Sequence, residues 1–271
     1  MEILHYSFFQ HALAGCLLTS LTCGLVGTYV VIRRLSFISG GITHASFGGL
    51  GLGFFLGINP VLTALGFALL AAWGVEWAGQ RGILREDSAI AGLWSVGMAI
   101  GALFLFLSPG YAPNLSGYLF GSILTITDTD LYLSALTAAI LVGTALCYHR
   151  QIIYSAFDPD FAHTKNLPVS SIRYLLALLT AFTIVLAIRL VGIMLLLSLL
   201  TIPPSTVNLF TSDYRRIAIG SIVLALAAST LGLILSVVLN IPSGAGITLT
   251  LAFIFVAAKA CRSLPRKPAK P

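Results

Sequence analysis

The sequence predicts an all-α, polytopic integral membrane protein with about nine transmembrane helices. Only 9% of its 271 residues are charged and 58% are hydrophobic. Nine separate stretches are apolar enough to cross a bilayer, and the basic residues sort to one side of it. A soluble globular domain carries about 25% charged residues, so this chain cannot cover itself with a water-compatible surface. The net charge of +6 is then explained by loops at a membrane face, and nucleic-acid binding is not expected.

A hydrocarbon core about 30 Å thick takes roughly 20 apolar residues per helix. In chain order, spans are expected over 11–32, 37–57, 60–80, 90–108, 131–148, 172–189, 190–211, 217–239 and 245–260. The first ends at Arg33-Arg34 and has no basic segment before it, so it reads as a stop-transfer span and not as a cleaved leader. The stretch 111–127, YAPNLSGYLFGSILTIT, is too short and polar to span and is expected to be re-entrant or interfacial. No clear turn separates 172–189 from 190–211, and Pro203-Pro204 within the latter is expected to break or kink the helix. Residues 1–260 form one transmembrane domain on this reading. Residues 261–271 make a basic, proline-rich cytoplasmic tail with too little apolar content to fold.

Threading nine crossings from an outside N-terminus puts 14 of the 15 Lys and Arg on the cytoplasmic side, with Arg189 the exception. Eight or ten crossings would break that sorting, which is the pattern that sets membrane orientation. The four cysteines, Cys16, Cys23, Cys147 and Cys261, read as packing residues. Neither Lys165 nor Lys259 follows a glycine-rich loop, so the chain has no phosphate-binding motif for hydrolysing ATP. His-Glu-x-x-His and Gly-x-Ser-x-Gly are also absent, which leaves no metalloprotease or acyl-hydrolase chemistry.

The stretch FISGGITHASFGGLGLG, residues 37–53, has six glycines and a histidine in an apolar span. Each glycine costs a helix up to about 1 kcal/mol relative to alanine, which close helix approach repays in a membrane. Gly41, Ala45 and Gly49, with Gly53 and Gly57 beyond, recur every four residues and predict a flat packing face. His44 lies about 10 Å from the start of the span at 1.5 Å per residue. An ionisable group at that depth faces a cavity or a partner, and the flanking Gly40 and Gly48 leave room for one. A neutral imidazole nitrogen suits zinc, manganese, nickel or iron(II). A hydrogen bond to a neighbouring helix is the other use for it.

Four stretches together resemble the membrane permeases of zinc/manganese/iron-type ABC importers, the ABC-3 family. Ser36-Phe37-Ile38-Ser39-Gly40-Gly41-Ile42-Thr43-His44-Ala45 is similar to that family's Ser-Phe-x-Gly-Asp-Ala-x-Ser-His-Ala. FDPDFAHTKNLPV (157–169), LVGIMLLLSLLTIPPSTVNLF (190–210) and NIPSGAGITL (240–249) resemble further family segments in the same order. The resemblance runs from about residue 11 to 260. It implies a type II importer permease fold, a homodimer with the path at the subunit interface, a cytoplasmic ATPase dimer and an extracytoplasmic metal-binding protein. The transported substrate would be a divalent metal ion, zinc first, then manganese or iron. No bound cofactor and no catalysis by this chain are expected, and the setting is a bacterial inner membrane.

The resemblance further implies that the loop 150–171 docks on the ATPase, through Phe157, Phe161 and Leu167, with Asp158 or Asp160 opening a short helix. His44 would stand on the cation path, with Gly41 and Gly49 packing helices and Pro203 and Pro204 serving gating. One departure matters: Gly40 stands where the family has an acidic residue, which removes a hard oxygen ligand and disfavours manganese more than zinc. A secondary transporter would instead carry mid-membrane coupling carboxylates and inverted repeats, neither of which is present. An iron-chelate importer of similar architecture would need a wide path.

Overall fold

A computed structural model describes residues 7–81, 86–108, 126–157 and 159–263. The stretch 111–125, Arg85, Asp158 and the tail from 264 onward lie outside the described residues. Among the described residues ten helices follow one another: α1 Ser7–Ile32, α2 Ser36–Leu56, α3 Pro60–Gln80, α4 Glu86–Leu107, α5 Asp128–Cys147, α6 His149–Phe157, α7 Pro159–Thr164, α8 Val169–Asn208, α9 Tyr214–Leu239 and α10 Ser243–Ser263. Seven of them are long and apolar enough to span a bilayer by length and composition. α2 falls below them in hydropathy because of its glycines, serines and histidine. It compensates by burial among other helices, with 14 of its 21 residues buried.

The 40-residue α8 holds two of the nine expected spans. Its backbone leaves helical geometry at Gly192 (φ 78°, ψ 166°), a conformation open essentially to glycine alone. The chain folds back there. Leu176, Leu179 and Thr180 line a small cavity with Val26 and Tyr29 of α1, and Leu200 packs on Gly27 one turn away. Along a straight helix Thr180 and Leu200 would be about 30 Å apart, yet both meet α1 at one level.

Of the break or kink expected at Pro203-Pro204, the break is absent. Helical dihedrals run through both prolines, and Gly192 alone departs from them. Proline at 204 has no N–H to give the Leu200 carbonyl. That oxygen instead lies against the Cα of Gly27, where any Cβ would collide with it. A Cα–H···O contact of this kind partly satisfies the freed acceptor. The second half of α8 is the centre of the fold, with Leu195, Leu196, Leu199 and Leu200 fully buried.

Two ion pairs mark the ends of the bundle. At one end Arg173 Nε lies 2.6 Å from Glu76 Oε1, and Gln80 Nε2 donates to the same oxygen at 2.9 Å. Ser170 Oγ donates to Gln80 Oε1 at 2.7 Å, so α3 and α8 are tied together there. At the other end Arg189 Nε lies 2.6 Å from Asp130 Oδ1. Asp130 also closes a capping box with Thr127 at the start of α5. Asp130 is buried and Arg189 is its partner. The one basic residue on the minority side is thus neutralised.

Candidate functional site

α2 is built to be approached closely on two sides. A Cβ on Gly49 or Gly53 would meet the α3 backbone at Thr63, Ala64 or Pro60, and one on Gly48 or Gly51 would meet the α4 backbone at Gly97 or Gly101. The single flat row expected from sequence is therefore two rows. Gly41 has only ordinary contacts with Ile90 and Leu93, at 3.6–3.7 Å. Gly57 does not extend the row: it ends the helix in a left-handed cap (φ 67°) with no neighbour within 4 Å. The space expected beside His44 at Gly48 is filled by the Gly97 carbonyl oxygen, 3.0 Å from a built Cβ.

His44 sits in this seam, 8% exposed. Its ring stacks on Trp94 of α4, with centroids 4.1 Å apart and planes 20° from parallel. Its Nδ1 is sealed from solvent and has no hydrogen-bond partner, a state that costs about 1–3 kcal/mol unless something pairs with it. The neighbouring hydroxyls do not help. Thr43 Oγ1 donates to the Ser39 carbonyl at 2.7 Å and Ser46 Oγ to the Thr43 carbonyl at 2.6 Å, so both are spent inside α2.

No group of three or more His, Cys, Asp or Glu side chains gathers among the described residues. Glu76 is paired with Arg173 and Asp130 with Arg189, away from His44. Asp128 lies 3.2 Å from His11 Nε2. Within this chain the arrangement is a single buried nitrogen covered by an indole.

The α6–α7 segment is a second, separate feature. Phe157 and Phe161 are exposed at 55% and 42%, with Tyr154 beside them at 38%. Tyr154 and Phe161 meet edge to face at 5.6 Å, and the Lys165 ammonium lies 5.6 Å from the Phe161 ring. Leu167 is half-buried; its N–H donates to the Ala162 carbonyl at 3.1 Å. Asp160 lies in α7, whose backbone is described, but its side chain, like Asp158 as a whole, is outside the described residues.

The segment is fastened from behind. Arg33 Nη1 donates to the Ser155 carbonyl at 2.8 Å, and Ile152 packs with Tyr29, Ile172 and Leu176. Arg215 Nε donates to His149 Nε2 at 2.7 Å. Burial first, and then the adjacent Arg215 guanidinium, holds the His149 imidazole below its ordinary pKa, so the acceptor nitrogen stays free of a proton at neutral pH. Sequence reasoning missed Trp94 and Gly192. The cue for Gly192 was an isolated glycine between two apolar runs; Trp94 carried none.

The profile of the ABC 3 transport family matches residues 5–262. An uncharacterized membrane protein of Synechocystis, slr2045, is 35% identical over 262 residues, covering 97% of this chain and 93% of the relative. The manganese transport system membrane protein MntC of Listeria monocytogenes is 27% identical over 253 residues, covering 93% and 90%. Among solved structures, PsaBC from Streptococcus pneumoniae in complex with Fab superposes with a TM-score of 0.85 at 28% identity, covering 95% of this chain and 92% of that one.

Proposed function

Because the chain belongs to the ABC 3 transport family, we propose that it is the membrane-spanning permease of an importer that moves a divalent transition-metal ion, powered by a separate ATPase. The family makes it a multi-pass transport component and not an enzyme, with an ATPase and a substrate-binding protein as the kinds of partner such permeases use. The observation that carries the reading is the family match over nearly the whole chain. On cargo, two arguments pull apart. The MntC name of a relative points to manganese. A lone imidazole with Gly40 in place of a carboxylate points to zinc, which accepts nitrogen ligands more readily. The close α2–α4 seam around His44 suits a bare ion and not a chelate.

The finer assignments belong to the same proposal. The path runs past His44 at the interface of a homodimer. The N-terminus lies outside and the C-terminus in the cytoplasm, because the basic residues concentrate at the Arg33, Arg173 and Arg215 end. Exposed Phe157 and Phe161, backed by the anchored α6, dock on the ATPase. Replacing both phenylalanines with serine is expected to lower permease-stimulated ATP hydrolysis about tenfold, as removal of interface aromatics does when they anchor binding. Unchanged stimulation would move the docking site elsewhere.

The reading is tested by uptake into vesicles holding the permease, its ATPase and its binding protein. Zinc or manganese should accumulate only with ATP and should survive collapse of the ion gradients. Accumulation without the ATPase, driven by a gradient, would instead make the chain a secondary transporter.

A further inference from the structure

Trp94 spans the two positions of α2 from which metal ligands are expected. Its ring stacks on His44 at 4.1 Å, and its Cζ3 lies 3.7 Å from where a Cβ on Gly40 would stand. A carboxylate at position 40 would extend past that Cβ, into space that the indole and Leu197, whose Cδ2 is 4.0 Å from the same point, now share. Beneath the ring lies an imidazole that is 8% exposed, with a sealed, unpartnered Nδ1. Trp94 is 44% exposed on this chain, whereas His44 is buried beneath it.

We infer that Trp94 determines both access and ligand number at the His44 site: its indole covers the imidazole, holds the place of a second ligand, and turns aside when a cation binds. This rests on His44 lining the path, but its test does not. If the covered state is occupied in about nine molecules of ten, attack on His44 is slowed about tenfold.

The experiment is carbethoxylation of the full permease–ATPase complex in lipid nanodiscs with diethylpyrocarbonate, with each histidine followed by mass spectrometry. In the wild type, His44 should label about ten times more slowly than the same residue does in Trp94→Ala. Trp94→Phe, which keeps a flat ring, should leave the His44 rate at the slow wild-type value. Equal His44 rates in wild type and Trp94→Ala would overturn the inference.

A second arm measures manganese uptake. Gly40→Asp alone is expected to fall below wild type because its carboxylate meets the indole, whereas Gly40→Asp with Trp94→Ala should rise above either single variant, a non-additivity that marks residues in contact. Simple additivity would again count against the inference. Should His44→Ala leave uptake unchanged, the pathway reading would fail while the labelling rates still decide whether Trp94 is a cover.

Discussion

Gly27→Leu is expected to abolish accumulation of folded permease. A side chain at position 27 meets the carbonyl, Cα and carbonyl carbon of Leu200, and backbone cannot step aside as a flexible side chain can. Overpacking a close-packed core costs about 1–3 kcal/mol where neighbours can shift, and here the neighbour is the central helix half. The Leu200 carbonyl would also lose the contact it makes in place of the N–H that Pro204 lacks. Gly27→Ala should show the same defect in smaller measure, with a clearly lowered thermal midpoint. Gly66→Ala is the control: nothing lies within 4 Å of a Cβ there, and alanine favours the helix by up to about 1 kcal/mol. Size-exclusion chromatography of detergent extracts checks all three. A well-folded Gly27→Leu protein would mean that α1 and α8 do not pack as described.

His44→Ala is expected to reduce metal uptake by about 10–100-fold, the scale on which even the loss of a residue that orients a metal ligand acts, while ATPase binding persists. Assembly should survive because the ring makes no hydrogen bond through Nδ1, so its removal leaves no partner unsatisfied. The α2–α4 seam is held by glycine backbone contacts that the substitution does not touch. Uptake assays paired with co-purification of the ATPase separate the two effects. Loss of both together would make His44 a packing residue.

Much of the fold could be read in the sequence because membrane constraint is severe. Span length is set by bilayer thickness, so nine apolar stretches sufficed to place nine spans. The reversal inside α8 was less legible. Two prolines advertise a break, but they sit in helical geometry while a single glycine at 192 turns the chain. Proline at 204 is tolerated because its orphaned acceptor finds Gly27, a relation between residues 177 apart in sequence that no local pattern reveals. The glycine row on α2 misled for a similar reason. Spacing identifies small residues, but only the neighbours show that Gly49 faces α3, Gly48 faces α4 and Gly57 caps the helix.

At the candidate site, the histidine was legible because a buried ionisable group in an apolar span is costly. Its surroundings were not. Arg189 and Thr127 occupy Asp130, pairings that only the folded chain reveals. Trp94 lies 50 residues from His44, on a face whose direction the apolar pattern of α4 leaves undefined.

The most direct test of the cation's route is X-ray absorption at the metal edge, on the complex trapped with its ATPase inhibited and cargo loaded. His44 on the path predicts an imidazole nitrogen scatterer at about 2.0–2.1 Å for zinc, present in the wild type and missing in His44→Ala. Identical spectra from the two proteins would show that the metal crosses the membrane without touching His44.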